Sequence, residues 1–165
     1  MDLKKALQIA LDFEKKGHDL YKIAAEKSSL PFVKTTFTYL AAQELQHIKD
    51  INVYLAEQPG DMKLSGDRPV DVKQFFNTTI GQFKDKVTLN QSDTEAYETA
   101  LALEKDAFNF YKEQLRATDD EKAKKFFKFL MEQENSHFVL LENSFGFIKD
   151  PDHFFAEDEK WFFEG

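Results

Sequence analysis

The 165-residue sequence contains no cysteine. Within it, disulfides, iron–sulfur clusters, thiolate-bound zinc and thiol catalysis are therefore excluded. Proline and glycine are sparse, with 4 and 6 residues, and Pro59, Gly60, Gly66 and Pro69 fall in a single stretch. Positive charge is in deficit: the formal net charge is −8. A chain without a basic footprint is not expected to bind nucleic acid or an anionic membrane surface. There is no run of ~18 apolar residues, so no membrane-spanning helix is expected. The start, Met1-Asp2-Leu3-Lys4-Lys5, lacks the apolar core of a signal peptide, and a cytoplasmic location is the expectation.

What is abundant is phenylalanine, with 18 residues. So many rings suggest an aromatic core, which an all-α bundle can house. Four segments carry helical periodicity. The first covers residues 3–27, with Leu7, Ala10, Leu11, Glu14, Gly17, Tyr21 and Ala24 on one stripe. The second starts near Pro31, a residue suited to a first helical turn. It carries Phe37, Leu40, Glu44, His47 and Ile51 on one face and ends before Pro59. The third is expected over 93–117, with Asp93 as N-cap, and the fourth over 120–147, stopped by Pro151. Short turns at Ser28-Ser29-Leu30 and Thr118-Asp119 imply antiparallel neighbours. Between the second and third helices lie 35 residues, 58–92, too many for a hairpin turn and suited to a crossover. Within them, 71–87 reads as a short helix lying on the bundle. Residues 1–149 thus form one bundle domain, and 150–165 a tail.

A shift of 90 residues lays the first helix pair on the second without a gap. Ala10 meets Ala100, Leu11 meets Leu101, Glu14 meets Glu104 and Tyr21 meets Tyr111. Phe37 meets Phe127, Leu40 meets Leu130, Gln43-Glu44 meets Gln133-Glu134, and His47 meets His137. A helical hairpin has been doubled, and each copy keeps one lone Glu and one Glu-x-x-His inside an apolar stripe. Glutamate and histidine three apart share a helical face.

Buried carboxylates are costly unless paired or metal-bound. Four facing one another cannot all ionise without cations, whereas two divalent ions balance four negative charges. Carboxylate and imidazole donors suit iron or manganese. One Glu from each of two helices and Glu-x-x-His from the other two is the donor pattern of di-iron and di-manganese carboxylate bundles. The metal-ligand candidates are Glu14, Glu44, His47, Glu104, Glu134 and His137.

On these residues, over the four helices, the chain resembles the ferritin-like superfamily and, within it, rubrerythrin-type di-iron proteins. The resemblance implies a ferritin-like antiparallel four-helix bundle with a long crossover between its second and third helices. It implies two iron ions bridged by Glu44 and Glu134, with Glu14 and His47 capping one and Glu104 and His137 the other. It further implies reduction of hydrogen peroxide or dioxygen, with an external electron donor (rubredoxin-like or a flavoprotein), and a homodimer. Two departures stand out. No four-cysteine iron module is present, and Ala107 occupies the place where rubrerythrins tend to carry an additional Glu. The site keeps the simpler six-ligand set, which leaves open a ferroxidase or iron-handling role. A non-catalytic helical interaction module is the third reading.

Tyr21 and Tyr111, seven residues after the lone glutamates, are candidates to hydrogen-bond a bridging carboxylate or to pass electrons. A core tyrosine with a satisfied hydroxyl is the alternative. Gln43 and Gln133 are candidates to accept the outer N–H of a ligand histidine. His18 reads as solvated, and His153 as a weak candidate for a second metal site. The tail carries Phe154, Phe155, Trp161, Phe162 and Phe163, which are expected to pack on the bundle or on a second subunit.

Overall fold

The computed structural model describes residues 2–57, 66–83 and 89–151. Helix α1 spans Leu3–Lys27, α2 Pro31–Glu57, α3 Pro69–Gln82, α4 Gln91–Ala117 and α5 Glu121–Lys149. The aromatic tail and His153 lie outside the described residues, as do 58–65 and 84–88 of the crossover.

Side-chain caps fix most of the helix starts. Asp2 accepts from the Lys5 N–H at 2.7 Å, and Asp120 from the N–H groups of Lys122 and Ala123; such caps satisfy donors that have no partner inside the helix. Helix α4 starts earlier than expected. Asn90 is its cap and accepts from Asp93 N–H at 2.8 Å, so Asp93 lies within the first turn. Helix α3 also starts and ends earlier than expected, with Pro69 in its first turn and Phe83 as its C-cap.

Helix α1 packs chiefly on α2, α4 chiefly on α5, and the two hairpins meet mainly through α1 and α4. Cross-helix contacts set the directions. Tyr21 stacks on Phe37 while Glu14 meets His47, so α1 and α2 run opposite ways. Tyr97 meets Ser144, and Tyr111 lies against Phe127, so α4 and α5 do too. Tyr21 reaches Glu104 and Tyr111 reaches Glu14, making α1 and α4 antiparallel. Helices α2 and α4 must then run parallel. Joining them needs a connection along the whole bundle, ~40 Å for 27 residues at 1.5 Å each. Helix α3, in that connection, packs on α5 and α2. This is the ferritin-like helical bundle, and among the described residues no helix is long and apolar enough to cross a membrane.

The core has two apolar clusters. One gathers Tyr21, Phe37, Leu40, Tyr97, Leu140 and Phe147. The other gathers Leu7, Leu11, Ile51, Tyr111, Phe127 and Leu130. Burying each large side chain contributes about 1.5–3 kcal/mol. The buried glutamates and histidines belong to neither cluster.

Candidate metal centre

All six candidate ligands are buried, none more than 2% exposed. They form two groups of four: Glu14, Glu44, His47 and Glu134, and Glu44, Glu104, Glu134 and His137. Within each group one donor atom per residue lies within 4.8 Å of the others. Glu44 and Glu134 belong to both groups. The 90-residue repeat thus becomes an approximate two-fold, in which each hairpin contributes to both groups.

The contacts follow that symmetry. His47 Nδ1 lies 3.2 Å from Glu14 Oε2 and 3.3 Å from Glu134 Oε1. His137 Nδ1 lies 2.9 Å from Glu44 Oε1 and 3.5 Å from Glu104 Oε1. The two rings stack with centroids 5.5 Å apart. Tyr111 donates to Glu14 Oε1 at 2.7 Å, and Tyr21 donates to Glu104 Oε1. The carboxylates they reach are therefore the lone glutamates of the opposite hairpin, not the shared Glu44 and Glu134. Burial, first of all, pushes both phenols well above their ordinary pKa, so they act as neutral donors.

Gln133 meets the expectation of an outer partner: its Oε1 lies 3.1 Å from His47 Nε2. Its amide nitrogen donates to the Asp67 carbonyl at 2.8 Å, which fixes which end of the amide faces the ring. Gln43 does not repeat this, because His137 Nε2 finds no partner among the described residues. His18 is partly exposed beside Asp19 and apart from the site.

Without metal the charges are in conflict. Burial alone would raise Glu44, yet its hydrogen bonds to His137 and His47 hold it down at about 2. Burial alone would lower His137, but Glu104 and Glu44 push it up to about 9. His47 is raised for the same kind of reason, chiefly by Glu44. Glu134 is pushed well above the carboxylate range by burial, then by Glu104 and Glu44.

The residues fit a metal pair. With Nε2–H of His47 donating to Gln133, a neutral ring turns the Nδ1 lone pair toward two carboxylate oxygens. That arrangement repels unless a proton or a cation lies between. Glu104 Oε2 and Glu134 Oε1 are likewise buried without a hydrogen-bond partner among the described residues. Unpartnered buried oxygens are rare and call for an explanation, and oxygen and imidazole donors of this kind suit iron or manganese.

The rubrerythrin family model matches residues 5–144. The chain belongs to the rubrerythrin family. No curated protein and no solved structure matches it. The family match runs from the first turn of α1 to within α5, and the buried Glu/His cluster is compatible with the di-iron site typical of rubrerythrins. Ala107, one turn after Glu104, is buried in the apolar cluster around Tyr111.

Proposed function

We propose that this rubrerythrin-family chain is a di-iron oxidoreductase that reduces hydrogen peroxide or dioxygen. The observation that carries the reading is the pair of four-ligand groups sharing Glu44 and Glu134. Glu14 and His47 would complete the hold on one ion, and Glu104 and His137 on the other. Two iron ions there would each supply one electron, matching the two-electron reduction of peroxide to water.

The chain's own part is to hold, orient and exclude. Tyr111 and Tyr21 fix the lone glutamates by donating from neutral hydroxyls. Gln133 fixes the His47 ring with Nδ1 facing inward. Apolar clusters on either hand limit water, which strengthens charge interactions inside. Returning the site to its reduced state requires an external donor, a rubredoxin-like protein or a flavoprotein, because the 165 residues hold no cysteine for an iron centre of their own.

The test is stopped-flow oxidation of the anaerobically iron-loaded protein, comparing peroxide with dioxygen. Faster oxidation by peroxide, with the reduced state regained on adding reductant, supports the peroxidase form. Comparable or faster oxidation by dioxygen, with iron then leaving the site, contradicts it and points to a ferroxidase.

A further inference from the structure

The two halves of the metal centre share a repeat but not their surroundings. In the Glu14–His47 half both of the ligands that belong to it alone, Glu14 and His47, have an outer partner. Glu14 Oε1 accepts from Tyr111 at 2.7 Å, and its Oε2 meets His47 at 3.2 Å. His47 Nε2 is held by Gln133, and Gln133 by the Asp67 carbonyl, in the segment leading into α3. The Asp67 carboxylate accepts from Tyr39, and the Tyr39 ring stacks on Phe75 of α3 at 3.9 Å. One chain of contacts therefore runs from the crossover to His47. Gly66 makes room for it: a Cβ there would stand 2.5 Å from Gln133 Oε1.

The Glu104–His137 half keeps only the tyrosine contact, Tyr21 donating to Glu104 Oε1. His137 Nε2 and Glu104 Oε2 are buried with no hydrogen-bond partner among the described residues. A cleft of about 420 Å³ between α4 and α5 also reaches Glu104, passing Lys105, Phe108, Asn135 and Val139. A ligand set held in place before binding loses less freedom when the metal arrives, so it binds more tightly. A loosely held set beside a cleft exchanges.

Resting on the two-metal reading above, we infer that the two positions are unequal. The Glu14–His47 position is the tight, resident one, with Gln133 as its positioning residue. The Glu104–His137 position is the exchangeable one, which metal and small anions reach through the α4–α5 cleft.

The test is an anaerobic titration of the full chain with Co(II), followed by visible d–d absorption and calorimetry. Two steps are expected, the second at least about tenfold weaker, as unequal outer partners would give. Gln133→Leu should weaken the tight step about 10–100-fold and shift the first ion's bands, leaving the weak step unchanged. Gly66→Ala should do the same from a distance, since its Cβ would displace the amide end of Gln133 and press on the Phe129 ring edge; matched far-ultraviolet spectra and melting curves check folding. Azide should alter the spectrum only after the second equivalent. Two equal steps, an unchanged tight step in both variants, or an azide response with one equivalent bound would each overturn the inference. A folded protein that binds no cobalt would instead sink the two-metal reading beneath it.

Discussion

Tyr111 and Glu14 sit 97 residues apart in sequence and share a 2.7 Å hydrogen bond inside the bundle. Tyr21 and Glu104 repeat the contact with the hairpins exchanged. Each tyrosine belongs to an apolar cluster yet orients a carboxylate of the opposite hairpin. Removing the Tyr111 hydroxyl leaves a buried carboxylate oxygen without its donor, at a cost of about 1–3 kcal/mol. Tyr111→Phe is therefore expected to fold, to melt lower in the metal-free state, and to bind Fe(II) more weakly by about tenfold or more. Denaturation and anaerobic titration check both. Tyr21→Phe should shift them in the same direction.

The metal-free protein should lose stability as pH rises. The folded-state pKa of His137 is held up to about 9, above its ordinary 6.5. Its contribution is complete below 6.5 and is lost as pH climbs through about 9. Glu134, also raised, acts with the same sign. Metal replaces those protons, so loading should release protons and should bind more weakly at lower pH. Melting temperature against pH, with and without metal, is the check: the metal-free curve should fall between pH 6.5 and 9, and the loaded curve should not.

Gly17 marks how tightly Glu44 is surrounded. A Cβ there would stand 3.3 Å from Glu44 Cδ, and Glu44 cannot swing aside without loosening its contact with His137. In a helix interior alanine is favoured over glycine by about 1 kcal/mol. Gly17→Ala should therefore keep or raise metal-free stability while lowering metal affinity. A variant that binds metal as well as the parent would show that Glu44 has room to move.

The sequence carried most of this site because the repeat is strict where chemistry demands it. Glu14 with Glu104, Glu44 with Glu134, and His47 with His137 could be paired by the 90-residue shift, and the structure brings all six together. Less legible was anything set by irregular chain. Gln43 and Gln133 have matching contexts, but only Gln133 meets a histidine, because the Asp67 carbonyl holds its amide. Spacing put the tyrosines on the site face but could not say which carboxylate lay opposite. Helix ends moved by a few residues where a local cap decided them, as Asn90 did for α4.

The most direct measurement is iron retained per chain after anaerobic Fe(II) loading and desalting, for the wild type and for Glu134→Ala. Glu134 is common to both ligand groups, so its loss should weaken both positions. The expected result is about two ions per chain for the wild type and fewer than about one for the variant, with both proteins folded. A wild type that retains no iron, or a variant that retains as much as the parent, would contradict a dinuclear centre built on the shared glutamates.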